Sequence, residues 1–209
     1  MARRDGESIA DVKKRTTCQR WQKEGKTVYG HWVGDPECPY KDKKATGKGK
    51  GKTSAALGMV VRAIGHGMKV GVVQFVKGAM QTGEARVFAA FPDNVEFKPM
   101  GEGFTWDAQD RQRDIAAARA AWQTACEMMA DKSYDLIILD ELNIVLRYDY
   151  LPLEEIVRTL QERRDGLHVV VTGRNAKDEL IEAADLVTEM GEIKHHLKTG
   201  VKAQTGIEF

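Results

Sequence analysis

Gly47-Lys48-Gly49-Lys50-Gly51-Lys52-Thr53-Ser54 is the stretch on which the fold turns. Its glycines leave backbone N–H groups free to wrap a phosphate chain. Leu57, Val60, Val61 and Ile64 follow at helical spacing, so the loop opens a helix. The N-terminus of that helix presents the positive end of its dipole, and Lys52 adds a full charge. The run therefore predicts a nucleoside triphosphate site with Gly47, Lys48, Gly49, Lys50, Gly51, Lys52, Thr53 and Ser54 as the cradle. Its spacing is short. The usual pattern places four residues between the first glycine and the Gly-Lys pair. Here Gly47 and Gly51 are separated by three, and Thr46 stands at the expected glycine.

Gly-Lys-Thr before a helix needs support from elsewhere in the chain. Leu136-Ile137-Ile138-Leu139-Asp140-Glu141 supplies it. Four apolar residues ending in two carboxylates place acid at the carboxyl edge of a buried strand, beside the loop. A magnesium (or manganese) ion there would bridge phosphate oxygens, the Thr53 hydroxyl and one carboxylate, for which Glu141 is the candidate. The bland alternative is that acids after a strand start the next helix. Arg62, ten residues after Lys52 on the same helix, either reaches back to a phosphate or is an exposed helix arginine.

Working outward, helices are expected over 54–64, 81–91, 107–131, 152–163 and 176–184. Strands are expected over 69–76, 95–97, 134–139 and 167–172. Gly65 and Gly67 can end the first helix in a left-handed turn. The alternation predicts an α/β fold with a mainly parallel sheet flanked by helices. The domain reading is a polar N-terminal arm at 1–26 and a single α/β domain at 27–209. Within it 27–46 is atypical. A phosphate loop normally follows a buried strand, but residues 38–46 contain a proline and four charges. The nearest strand candidate is 27–33, more than ten residues upstream. The first strand is thus either displaced to that position or missing.

Lys+Arg of 32 against Asp+Glu of 31 leaves the chain nearly neutral, which argues against nucleic acid as a partner. Locally, six lysines between Lys41 and Lys52 oppose one acid, Asp42, which suits a polyanion or a solvated basic loop. Cys18, Cys38 and Cys126 form no CxxC unit, so neither a zinc site nor a disulfide framework is indicated. Cys126 reads as a small core residue on a helix stripe. No segment approaches the roughly 18–20 apolar residues of a membrane span, and no signal peptide is evident, so a cytoplasmic setting without membrane is expected. Phe104 and Trp106, set among glycines in Gly101-Glu102-Gly103-Phe104-Thr105-Trp106, form either a flat-ligand platform or a pin holding the loop to the body.

Taken together, the shortened loop GKGKGKTS (47–54), RAIGHGMKVGVVQFVKG (62–78), GEGFTW (101–106), LDELNIVLRYDYLPLEEI (139–156), VVVTGRNAKDELIEAADLVTEM (169–190) and KHHLKTGVKAQTGIEF (194–209) resemble the ATP:corrinoid adenosyltransferases of the cobalamin pathway. The resemblance spans about Gly47 to Phe209. It implies a P-loop NTPase fold of the RecA-like kind. It also implies transfer of the 5′-deoxyadenosyl group of ATP to the Co(I) of a reduced corrinoid, with triphosphate leaving in one piece. Lys52 then serves the leaving group, with Lys48, Lys50 and Arg62. Phe104 and Trp106 then lie under the corrinoid and keep axial ligands off cobalt. A homodimer and a reduced flavoprotein electron donor are implied in the same way. The rivals are a generic phosphate-loop ATPase or kinase, and a corrinoid- or nucleotide-binding homologue without turnover because of its altered N-terminal region.

Overall fold

A computed structural model describes residues 50–76, 78, 82–101, 111–195 and 200–207, and the backbone of 28–30. The arm at 1–26, the loop residues Gly47, Lys48 and Gly49, and the aromatics Phe104 and Trp106 lie outside the described residues. Along the chain run β1 (Val28–Gly30), α1 (Lys52–Gly65), β2 (Val70–Gln74), α2 (Gly83–Phe88), β3 (Val95–Pro99) and α3 (Arg111–Ala130). They are followed by β4 (Leu136–Asp140), α4 (Leu142–Arg147), α5 (Leu153–Gln161), β5 (His168–Val171), α6 (Asp178–Ala183) and β6 (Val187–Glu189).

Four of the strands form a sheet in the order β3-β2-β4-β5, with every pairing parallel. The register aligns the strand ends: Gln74 stands between Pro99 and Asp140. The valine- and isoleucine-rich runs suit this pleated, doubly covered position. Their side chains alternate between two cores, as a period of two requires. Val70, Val72, Leu136, Ile138 and Val170 meet Ala56, Leu57, Val60 and Ala63 of α1, and Phe88 of α2. Val73, Ile137, Leu139, Val169 and Val171 meet α3, α4, α5 and α6 on the other face. In α3 the buried residues Ala118, Ala121, Trp122, Ala125, Met128 and Met129 repeat at helical spacing, and the alanines let the helix approach the sheet. Cys126 is a half-buried free thiol packed against this core, and burial raises its pKa.

Strands β1 and β6 form a parallel pair in which Gly30 aligns with Glu189. Strand β1 also lies against β5 and α1. Strand pairing at Val28–Gly30 thus falls within the 27–33 candidate, ahead of α1. Helix α1 ends as its glycines suggest: Gly67 is left-handed (φ 71), Gly67 N–H donates to the Ile64 carbonyl and Met68 N–H to the Ala63 carbonyl. Helix α2 starts where Thr82 accepts a hydrogen bond from Ala85 N–H (3.4 Å). Two short elements, α4 and β6, were not anticipated. The first directly continues the apolar run of β4, and the second is only three residues long.

Candidate active site

The carboxyl ends of β2, β4 and β5 and the start of α1 converge on one carboxylate. Asp140, the last residue of β4, is fully buried. Its Oδ1 accepts from the Thr53 hydroxyl (2.9 Å) and from the Thr172 hydroxyl (2.7 Å), and its Oδ2 accepts from Gln74 Nε2 (2.8 Å). A buried carboxylate demands such donors, because an unpaired charge there is costly. Four elements are thereby tied at one point.

Glu141 follows in the left-handed region (φ 65). That conformation costs a residue with a side chain roughly 1–3 kcal/mol and recurs at functional sites. It is held by the Glu141 N–H, which donates to the Thr172 hydroxyl (2.9 Å). Thr172 therefore links both acids, accepting from one backbone and donating to the other side chain. Gly173 follows at φ 131, and a Cβ there would stand 2.8 Å from Asn143 Cβ. This close approach of the β5 loop to α4 requires glycine and directs the chain on to Arg174.

At the other side, Gly51 caps α1 at φ 98, leaving Lys52 and Thr53 in the first turn. Lys50, Gly51, Lys52, Thr53 and Ser54 line a small cavity together with Glu141, Thr172, Gly173 and Arg174; Glu84 and Ile207 complete it. Burial of Lys52 lowers its pKa below the ordinary amine value, and the nearby Arg174 charge lowers it further, while Glu141 and Asp140 act in the opposite sense. An amine held under this strain gains from an anion, which would offset its desolvation and its repulsion by Arg174.

The structure thus brings together Lys50, Gly51, Lys52, Thr53, Ser54 and Glu141 of the residues expected from sequence. Arg62 stands exposed in the last turn of α1, ten residues and about 15 Å of helix from Lys52, and does not line the cavity. Asp140, Thr172 and Arg174 join the site beyond the named set. No group of three or more His, Cys, Asp or Glu side chains poised for a metal occurs among the described residues. The Thr53 hydroxyl gives its proton to Asp140, so its lone pairs remain available to a cation beside Glu141.

A parallel sheet with basic and acidic groups gathered beyond the carboxyl ends of its strands is the construction of open α/β ligand-binding proteins. Residues 44–209 match the family described as ATP:corrinoid adenosyltransferase BtuR/CobO/CobP, and the chain belongs to that family. It is 58% identical over 164 residues to the corrinoid adenosyltransferase of Pseudomonas aeruginosa, covering 78% of this chain and 81% of that one. It is 51% identical to the corrinoid adenosyltransferase of Escherichia coli K12 and 47% to the corrinoid adenosyltransferase CobA of Salmonella typhimurium, each over 78% of this chain and 83% of the relative. Among solved structures, domain III of the Thermotoga maritima replication initiation protein DnaA gives a TM-score of 0.38 at 11% identity over 86% of this chain and 59% of that one, too weak to bear on fold or activity. Strand β1 lies ahead of the matched span.

Proposed function

We propose that this chain is an enzyme that transfers the 5′-deoxyadenosyl group of ATP to the Co(I) of a reduced corrinoid. Family membership supports the reaction, and the meeting of Lys52, Thr53 and Asp140 at one sheet edge is the observation that carries it. Cobalt supplies the electron pair and attacks C5′. The C5′–O5′ bond breaks, its pair leaves with triphosphate, and no general base is needed. The protein's task is to hold C5′ in line and to neutralise charge gathering on the leaving group. Lys50, Lys52 and Arg174 face the cavity and do this, with Lys48, Gly47 and Gly49 completing the cradle.

The fold is read as a P-loop NTPase fold. Gly30 aligns with Glu189, and a Cβ on Gly51 would lie 3.6 Å from Sδ of Met190, the next residue. The carboxyl end of β1 and the start of α1 are therefore close, which supports β1 as the strand that carries the loop. Magnesium or manganese fits the Thr53 hydroxyl and Glu141, which line the same cavity, and would supply further positive charge to the triphosphate. Phe104 and Trp106 are assigned to the corrinoid face. Met100 and Gly101, which precede them in the sequence, both donate their N–H to the carbonyl of Gln74, the residue that aligns with Asp140. A homodimer, a reduced flavoprotein donor and a cytoplasmic setting complete the reading; no described helix is long and apolar enough to cross a membrane.

The test is to mix the protein with ATP, magnesium and chemically reduced Co(I) corrinoid. A light-sensitive Co–C product with stoichiometric triphosphate is expected. Inorganic phosphate in place of triphosphate would mark a hydrolase and overturn the reading.

A further inference from the structure

Residues 200–207 run to the mouth of the phosphate-loop cavity, which Ile207 helps to line. All eight are exposed, and none belongs to a helix or strand. Among the described residues their one hydrogen bond is internal, from Ile207 N–H to the Gln204 carbonyl (3.2 Å), and none fastens the segment to the body. Backbone held by so few partners moves at little cost. Gly200 (φ 83) and Gly206 (φ 81) are left-handed near its two ends. A Cβ added to either would meet nothing within 4 Å, so glycine is required there by backbone conformation and not by crowding. Such positions can absorb the dihedral change of a hinge. Ile207 itself is 80% exposed, and an apolar side chain left in water at a ligand's entrance gains from being covered.

The single charge of this segment is Lys202. In the cavity the cations outnumber the acids, Lys50, Lys52 and Arg174 against Glu84 and Glu141, so the protein alone repels Lys202. A triphosphate chain among those cations reverses the sign. The ligand thereby creates a free-energy difference between open and closed forms, which any ligand-driven closure requires. We propose that residues 200–207 are a strap that closes over the cavity when triphosphate is bound, with Lys202 drawn to the polyanion and Ile207 taken out of water. This rests on the nucleotide reading of the site given above. Closure retains ATP until the corrinoid attacks, and reopening of the strap then governs the departure of triphosphate.

The experiment follows trypsin cleavage of the full chain after Lys202 by mass spectrometry. Cleavage after Lys132, exposed just beyond α3, serves as the reference. Saturating ATP with magnesium, or inorganic tripolyphosphate, is expected to slow cleavage after Lys202 by about tenfold or more and to leave Lys132 unchanged, because cleavage tracks the population of the open form. Stopped-flow then measures ATP dissociation. Lys202→Gln should speed it by about threefold to tenfold, the scale of one charge-assisted contact, and Lys202→Arg should restore it. Gly206→Val acts through the backbone alone and should speed dissociation by a similar factor. No protection after Lys202, equal protection of both sites, or unchanged dissociation in both Lys202→Gln and Gly206→Val would overturn the strap while leaving the nucleotide site standing. Wild type that binds neither ATP nor tripolyphosphate in calorimetry would overturn the nucleotide reading, and this inference with it.

Discussion

Leu136, Ile138 and Asp140 alternate onto the face of β4 that α1 covers, and this parity decides which acid meets Thr53. Glu141 has already left the strand in a left-handed turn. Both carboxylates were legible in the sequence as a pair. Their division of labour was also present there, in the period of two, but becomes readable only once the helix on that face is known. Arg174 carried no local signal, because it reaches the cavity through strand order alone. Asp140→Asn replaces an acceptor with a donor at a point where three donors already converge, so one of them loses its partner. A loss of about 1–3 kcal/mol is expected in denaturant unfolding, with weaker ATP binding through Thr53; an unchanged midpoint would mean the cluster adds nothing net. A second expectation concerns pH. Lys52 must be charged to hold triphosphate, so affinity persists below its free-state pKa and is lost as pH rises through it. That pKa lies below the ordinary 10.5, so the loss begins earlier than for an exposed lysine. Arg174→Ala removes one of the lowering causes, and the alkaline decline should move to higher pH even as neutral-pH affinity falls. A decline that stays in place would show that Arg174 does not act on Lys52.

Among elements, the long ones were readable because each buries a periodic stripe, as α3 does with Ala118, Trp122, Ala125 and Met129. Helix α4 was hidden because Leu142, Val145 and Leu146 continue the apolar run of β4 after a turn of only one residue, Glu141. Only the left-handed Glu141 separates them. The contact between α4 and the β5 loop is where packing sets the site. Asn143 N–H donates to the Thr172 carbonyl (3.3 Å) and Asn143 Nδ2 to the Gly173 carbonyl (3.3 Å). Gly173→Ala places a methyl 2.8 Å from Asn143 Cβ, in a backbone conformation that disfavours side chains. Thermal unfolding should show a destabilisation of roughly 1–3 kcal/mol. ATP affinity should fall further than stability alone explains, because Thr172 and Arg174 flank the displaced residue. Stability loss with full ATP affinity would separate the loop's packing from its role at the site.

At the scale of the whole molecule, the site depends on strands that are distant in sequence. The chain visits β2, β3, β4 and β5 in succession, yet the sheet order β3-β2-β4-β5 brings Gln74, Asp140 and Thr172 to one edge. The parallel α/β class followed from the alternation of elements, whereas the place of the first strand did not. The residues before Gly47 are too charged and proline-interrupted to be that strand. Strand β1 lies upstream and pairs with β6, a strand of only three residues without a periodic apolar signal of its own. If β1 carries the loop, breaking its pairing should uncouple nucleotide binding from the integrity of the four-stranded core. Tyr29→Pro makes that test. Tyr29 aligns with Thr188 at the centre of the pair, and proline there disfavours strand pairing while leaving the pairings among β2, β3, β4 and β5 in place. The expected result is cooperative unfolding close to wild type, with ATP affinity and adenosyl transfer reduced by about tenfold or more, the scale of one or two lost cradle hydrogen bonds. Because Gly30 aligns with Glu189, whose neighbour Met190 packs at Gly51, a Thr188→Pro variant should lose binding in the same way. Two variants that bind ATP as wild type does would detach β1 from the loop and return its seating to residues between the strand and Gly47.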